Sequence, residues 1–462
     1  TGVPKGVMIT HDAAWNTIAD VVDRWNMNAE SRVLALSRFS FDLSVFDIFG
    51  MLSCGGALVL PTPGAWLDPA DWAALIRTHR VSVWNSVPAM AELLIRHMEN
   101  HPKNRLDSLR IVLLSGDWIP VSLPSRLGAH APNATVVGLG GATEASIWSN
   151  YHICLPEDAE KVSIPYGYPL SNQGFAVLGR DGDDAPVWVD GDLIITGRGL
   201  ACGLLGDPEL TAERFPAHDG VRCYWTGDRG RYLPNGEIEF LGRLDDQVKV
   251  HGFRIELAEV ETAMVSMVEV GSAAAAIRRH GEEVHLLAAV VPAPGVESLH
   301  GDTVRDHLAG LLPSYMVPSQ VQVVEILPLT ANQKVDRDLI ASWFVPDETG
   351  ESVQAIIVDD PLGTRVVEIV SECLSQVGIG EQVSYYDLGA DSLVLAQLAG
   401  RLRDLLDAES PGHRGSFDVI LRGLLDEPTL SATIAMVRVL ADNAHTTEAE
   451  VAPENDGGIG KM

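Results

Sequence analysis

The sequence has no C-x-x-C pair and no cysteine-dense segment: its five cysteines, Cys54, Cys154, Cys202, Cys223 and Cys373, are scattered over 462 residues. That spacing argues against a disulfide framework and a zinc knuckle, and it suits a reducing, cytoplasmic setting. Positive charge is also scarce. Thirty-three Lys and Arg stand against 63 Asp and Glu, a formal net charge of −30, with no basic stripe. A polyphosphate partner such as a nucleic acid needs clustered Lys and Arg, so the composition argues against one. The acidity reads as a solvated surface. No apolar run is long enough to span a bilayer, and neither a signal peptide nor an internal repeat is visible. What is present is a chain too long for one ordinary domain, 46% hydrophobic with 43 Gly and 26 Pro. This composition predicts a turn-rich α/β protein of about three compact units.

Over residues 1–241, apolar runs (Ala57–Leu60, Val81–Trp84, Ile111–Leu114) alternate with helix-like stretches at Ala70–Thr78 and Ala89–Glu99. Such alternation predicts a largely parallel sheet with helices packed on it. Residues 242–343 open on the hairpin-like DDQVKVHGFRIEL and continue with strands at 271–279 and 284–291 and a helix around 302–312. They break at the prolines of LLPSYMVP, as a small α+β lid domain would. Residues 344–360 are acidic and weakly patterned, which predicts a linker. Across 361–441 the apolar residues Val366, Ile369, Val370 and Cys373, then Leu393, Leu395, Ala396, Leu398 and Leu402, fall at helical spacing. A small helical bundle is expected there. Residues 442–462 mix Glu, Asp, Asn, Gly and Thr and read as a disordered acidic tail.

Candidate chemistry lies in short motifs. Thr1-Gly2-Val3-Pro4-Lys5-Gly6 is a glycine-rich stretch whose backbone N–H groups suit a phosphate, with Lys5 adding charge. Gly138-Leu139-Gly140-Gly141 leads into Ala142-Thr143-Glu144, where a carboxylate beside a hydroxyl suits a magnesium ion that also takes phosphate oxygens. In Tyr224-Trp225-Thr226-Gly227-Asp228, an aspartate after a tight turn is placed to hold a ribose diol. The stretch from Leu241 to Lys249 sets Arg243 and the acidic pair Asp245-Asp246 at a domain junction, and Thr330–Arg337 carries Lys334 on a late loop. Taken singly, each is a turn, a surface ion pair or a solvated lysine. Their order carries the signal.

In that order, together with Gly191–Gly197, Gly199–Gly203 and Asp207–Thr211, these motifs resemble the adenylate-forming enzymes over residues 1 to about 340. They resemble more closely the adenylation domains of nonribosomal peptide synthetases. The resemblance implies an acyl-CoA synthetase-like large domain, a small lid, and two half-reactions that use ATP and magnesium (Mg2+). An amino-acid carboxylate first attacks the α-phosphate to give an aminoacyl adenylate and pyrophosphate. A thiol then takes the acyl group. By matching position, Lys334 bridges carboxylate and nucleotide, Glu144 beside Thr143 holds the magnesium, and Asp228 and Arg243 contact the ribose. Thr1, Gly2, Lys5, Gly140 and Gly141 are expected around the nucleotide. Asp245 is the expected hinge of the lid, whose rotation brings the hairpin of Lys249 to the site in place of Lys334.

Two further segments extend the resemblance. Asp387-Leu388-Gly389-Ala390-Asp391-Ser392-Leu393 is similar to the attachment motif of carrier proteins. It implies that Ser392 carries a 4'-phosphopantetheine placed by a phosphopantetheinyl transferase, at a helix start that favours a phosphodiester. Phe41–Asp47 resembles the segment that opens the amino-acid pocket, with Asp42 facing the substrate ammonium. The remaining walls are then Leu43, Phe46, Asn85, Leu113, Ser115, Leu139, Ile147 and Trp148. A mostly apolar lining with two small polar groups, shortened by Phe46 and Trp148, fits cysteine, serine, threonine or a short aliphatic side chain. The set as a whole resembles that of cysteine-activating domains. This points to L-cysteine and to condensation or heterocyclisation domains as partners, the latter associated with thiazoline rings, while the need for an MbtH-like activator is left open by the sequence.

Some positions depart from the family pattern. The Ser/Thr-rich run expected before Thr1 is not in the sequence, so the phosphate loop is expected to be halved and the large domain to be represented by its C-terminal part. Gly140 stands where an adenine-stacking aromatic is expected, Gln333 replaces a glycine, His251 an arginine, and Ala390 a second glycine. A carboxylic acid–CoA ligase of the same superfamily and a non-catalytic carrier or scaffold fragment are the competing readings. Asp42 and the attached carrier segment argue against the ligase.

Overall fold

The computed structural model describes residues 5–102, 104–243, 247–250, 253–280, 283–293, 295–296, 298–328, 335–343, 360–374, 376, 378–386, 388, 390, 392–409 and 417–449. The chain forms two compact units, Thr1–Phe344 and Val345–Met462. Among the described residues no helix is long and apolar enough to cross a membrane, and all five cysteines are free.

The first unit holds a seven-stranded sheet in the order Ala57–Val59, Arg32–Leu34, Val83–Ser86, Ile111–Leu114, Thr135–Gly140, Asn150–Ile153, Tyr168–Pro169. The first five strands pair in parallel and the last two antiparallel. Val83–Ser86 and Ile111–Leu114 are buried at every position. That is why they read as apolar runs without alternation, the mark of a parallel sheet covered on both faces. The strand expected at Val81–Trp84 begins two residues later, because Arg80 ends the helix Pro69–His79 in a left-handed conformation and Val81 N–H still bonds the Ile76 carbonyl.

A second sheet runs Ala217–His218, Val221–Tyr232, Gly191–Gly197, Gln173–Leu178, with Ile238–Arg243 also paired to Val221–Tyr232. Beyond it come the hairpin Gln247–Val250 and Phe253–Glu256, and a three-stranded sheet of Val270–His280, Glu283–Pro292 and Gln320–Val323. Ala273–Ala276 would favour a helix by propensity alone. As a strand, the run alternates: Ala275 joins the core of the helix Leu257–Val265, while Ala274 and Ala276 pack on Ile340. Small residues let helices approach both faces.

The second unit is helical: Pro361–Leu374, Ser392–Glu409, Phe417–Asp426 and Leu430–Ala449. Buried Leu395, Leu398 and Leu402 form the inner face of its second helix, and Tyr385 is fully buried with its hydroxyl donating to Thr433 Oγ1 at 2.8 Å. The last helix continues to Ala449, so residues 442–449, expected in a disordered tail, are helical. Elongating an existing helix costs far less than starting one, which lets the helix continue beyond the buried Ala441. The expected linker, apart from Asp360, and residues 450–462 lie outside the described residues.

Candidate active site

A cavity in the first unit lies where the parallel strands end and the second sheet begins. The carboxyl ends of parallel strands are the usual place for ligands in open α/β sheets. Asp42 stands at its wall, just ahead of the short helix Leu43–Val45. Thr143 Oγ1 donates to Asp42 Oδ2 at 2.6 Å, so a hydroxyl from one segment orients the carboxylate of another. Leu43, Ser115, Leu139, Ile147 and Trp148 line the same cavity. Ser115 Oγ is buried there without a hydrogen-bond partner. A buried hydroxyl in that state favours a ligand that offers it a polar atom.

Phe46, Asn85 and Leu113, expected in the lining, are fully buried one layer behind it. Phe46 packs against the Trp148 ring at 5.0 Å between centroids. Asn85 Nδ2 donates to Asp47 Oδ1 at 2.8 Å and to the Leu43 carbonyl at 3.4 Å. These residues therefore shape the wall through its neighbours. Asp47, to which the sequence reading gave no role, is almost wholly buried. Burial pushes its carboxyl from an ordinary 3.8 up to about 7, against the lowering effect of the Asn85 hydrogen bond. It sits on the π-helical turn Phe46–Gly50, a widened turn of the kind found at functional sites.

The segment after Thr143–Ala145 is strained. Ser146 and Ile147 both hold positive φ, 62° and 72°, an unfavourable conformation for a β-branched residue. Ser146 Oγ donating to the Gly199 carbonyl at 2.7 Å, and Trp148 N–H bonding the Ser146 carbonyl, hold it there. This kink sets Ile147 and Trp148 into the wall. Glu144, in the same turn, is buried and does not line the cavity.

The opposite wall belongs to the second sheet. Asp228 does not follow a tight turn, as its motif suggested, but lies inside the strand Val221–Tyr232. There the register shifts: Asp192 pairs with Arg229 and Ile194 with Trp225. The extra residues form a bulge, with Gly227 at φ 77°, Thr226 Oγ1 donating to the Leu193 carbonyl at 2.7 Å, and Asp228 N–H donating to Thr226 Oγ1. A bulge re-aims a side chain, and Asp228 lines the cavity. Trp118, Tyr166 and Phe240 complete this wall, and Gly140 and Gly141 lie between the two. Gly141 is required for close approach, since a Cβ there would lie 2.8 Å from the backbone of Trp148 and Ser149. None of the three aromatics was singled out from sequence, and only their place in the fold reveals them.

The walls are joined by a buried charged group. His152 Nδ1 lies 2.7 Å from Glu237 Oε1 and its Nε2 2.8 Å from Asp158 Oδ2, with Lys161 Nζ 2.7 Å from Asp158 Oδ1. His152 is on a strand of the first sheet and Glu237 precedes the edge strand of the second, so the group ties one sheet to the other.

The remaining expected residues are placed in part. Lys5 is exposed near the start of the described chain. The Arg243 backbone pairs with Asp228 and the Lys249 backbone with Arg254, and the side chains of Arg243 and Lys249 lie outside the described residues. Ser392 is the first residue of its helix, and its side chain is likewise outside. Thr1, Gly2, Asp245 and Lys334 fall outside the described residues, as do His251 and Gln333.

Residues 1–205 match the AMP-binding enzyme family and residues 259–334 the AMP-binding enzyme C-terminal domain. The chain is 38% identical over 446 residues to the phenyloxazoline synthase MbtB of Mycolicibacterium paratuberculosis, covering 96% of this chain and 37% of that protein. It is 47% identical over 318 residues to the pyochelin synthetase PchF of Pseudomonas aeruginosa, covering 68% of this chain and 18% of that protein. It thus spans well under half the length of either relative. The solved structure of holo-PA1221, a nonribosomal peptide synthetase protein with adenylation and PCP domains, aligns with a TM-score of 0.69 at 26% identity, over 90% of this chain and 67% of that one. The chain belongs to the AMP-binding enzyme family, as an adenylating ligase of the nonribosomal peptide synthetase type.

Proposed function

We propose that this chain activates L-cysteine as its adenylate and loads it onto a phosphopantetheine carried by its own Ser392. The observation that carries the reading is that Asp42, oriented by Thr143, shares one cavity with Asp228. A carboxylate for an ammonium and a carboxylate for a ribose diol, set on opposite walls, suit the two ends of an aminoacyl adenylate. A substrate carboxylate oxygen attacks the α-phosphorus, the α–β phosphoanhydride bond breaks, and pyrophosphate leaves. The pantetheine thiol then loses its proton and attacks the acyl carbon, and AMP departs. Catalysis of this kind rests on placing reactants and on charge stabilisation where it develops. Lys334 is assigned to the first step and Lys249 to the second.

In this reading residues 1–241 are large domain, 242–343 lid, 344–360 linker and 361–441 carrier. Cysteine is favoured over larger substrates because the lining is apolar, carries the unpartnered Ser115 hydroxyl, and is closed by Trp148 backed by Phe46. The relative named for an oxazoline fits a β-hydroxy amino acid, since an oxazoline ring closes through a β-oxygen, and cysteine is the β-thiol counterpart of such a substrate. ATP–pyrophosphate exchange across the amino acids tests the choice. Cysteine should give the strongest signal, serine and threonine weaker ones. A maximum with an aryl acid, leucine or phenylalanine would refute the pocket assignment. Incubation with coenzyme A and a phosphopantetheinyl transferase should add one phosphopantetheine by intact mass, and Ser392→Ala should not be modified. Lys334→Ala should lose exchange while still transferring preformed adenylate, and Lys249→Ala should do the reverse.

A further inference from the structure

Gly140 ends its strand beside an aromatic ring. A Cβ built there would lie 1.9 Å from Tyr166 Cε2 and 2.4 Å from Cζ, so the ring occupies the space that any side chain at 140 would take. Tyr166 is held from several directions. Its N–H donates to the Ile238 carbonyl at 2.8 Å, and its carbonyl accepts from Asn150 Nδ2. Its ring lies 5.5 Å from Phe240 at 33° and meets Phe175 edge-on at 5.8 Å, while Trp118 packs on the far side of Phe240 at 5.2 Å. Trp118, Tyr166 and Phe240 all line the cavity, on the wall that carries Asp228.

We propose that Tyr166, with Phe240, supplies the aromatic face on which the base of the bound nucleotide packs, in the space that Gly140 leaves open. This inference rests on the adenylating function proposed above. A purine presents a flat π face, and base–aromatic stacking tolerates sequence change because it needs only the ring. Glycine at 140 and tyrosine at 166 are then two halves of one feature: the small residue admits the large one. The nearby Asn150 Oδ1, buried without a hydrogen-bond partner and 2.6 Å from where a Cβ at 140 would stand, adds an acceptor beside the glycine.

The test is a split of Michaelis constants in ATP–pyrophosphate exchange. Tyr166→Leu fills the space without a π face and should raise the KM for ATP about tenfold while leaving the amino-acid KM unchanged. Tyr166→Phe keeps the ring and should restore the wild-type value. Gly140→Ala, whose Cβ alone would collide with the Tyr166 ring, should likewise raise the KM for ATP and leave the amino-acid KM unchanged. An unchanged ATP KM in a Tyr166→Leu variant that melts like the wild type overturns the proposal. So does an equal rise in both constants. Should the wild-type chain show no exchange with any amino acid, the adenylation reading fails instead. Titration with AMP, followed by tryptophan fluorescence, then still decides the base platform: Tyr166→Leu must weaken AMP binding, or the proposal falls.

Discussion

The two walls of the cavity are built in different ways. The wall on the parallel sheet is two layers deep. Phe46, Asn85 and Leu113 are fully inaccessible behind a lining of Leu43, Ser115, Leu139, Ile147 and Trp148. The wall on the antiparallel sheet is one layer, with Trp118 39% exposed and Tyr166 and Phe240 half-buried. The first keeps its shape by close packing, so a substitution there disturbs stability and substrate choice together. The second keeps its shape by strand register, through the bulge that aims Asp228 and the glycine that admits Tyr166. Its side chains can be exchanged with less effect on folding.

The largest expected effect comes from cutting the joint between the walls. His152→Ala leaves Asp158 and Glu237 buried and removes a hydrogen-bonding partner from each. Breaking a buried charged cluster costs about 3–5 kcal/mol, and the low end applies here because Lys161, the Leu155 N–H and Asn235 remain as partners. Urea unfolding measures the loss. If the single-layer wall is the one that moves, the KM for ATP should rise more than the KM for the amino acid. A rise confined to the amino acid would show that the comparison has been drawn the wrong way round.

Next in size is Asp42→Asn. The amide keeps an acceptor for Thr143 but removes the charge assigned above, as a proposal, to the substrate ammonium. The amino-acid kcat/KM should fall about a hundredfold, near the upper end for a hydrogen bond to a charged group. The ATP KM and the melting temperature should hold, because Asp42 lies on the deep wall but is itself only half-buried. Parallel loss for both substrates would mean that the carboxylate organises the whole cavity.

The deep wall was the more legible in sequence, and only as a neighbourhood. Asp42, Leu43, Ser115, Leu139, Ile147 and Trp148, named from the motifs, line one cavity, while Phe46, Asn85 and Leu113, named with them, are buried and are not part of its lining. A motif fixes neighbours along the chain, whereas the layer a side chain reaches depends on strand register and, for Phe46, on a π-helical turn. Asp228 was read as following a turn because a glycine with positive φ serves turns and bulges alike. Tyr166 left no local signal. Its position has meaning only beside Gly140, and that adjacency comes from the antiparallel end of the sheet. The strands themselves were readable, since fully buried parallel strands leave unbroken apolar runs.

The smallest effect, and the sharpest probe of the deep wall, is Asp47→Asn. In the folded chain burial raises the Asp47 carboxyl to about 7, well above its ordinary 3.8. Between those values the unfolded chain has released its proton and the folded chain still holds it. Stability therefore declines as pH rises from about 4 to about 7 and levels off above, where both states are ionised. Asparagine has no proton to lose and its Oδ1 can accept the Asn85 bond, so the variant should not share that decline. Its own amide must be accommodated, which trims the gain to about 1–2 kcal/mol at pH 8. Near pH 4, where the wild type keeps its proton, the same cost should leave the variant about 2–3 kcal/mol less stable than the wild type. Thermal unfolding at several pH values reads the difference directly, and it should move in the variant's favour between about pH 4 and 7 and then stay constant. A difference that is flat with pH would mean that Asp47 is already ionised in the folded wall, held by its hydrogen bonds against burial. The deep wall would then tolerate charge, and its contrast with the half-exposed wall of Asp228 would lose its physical basis.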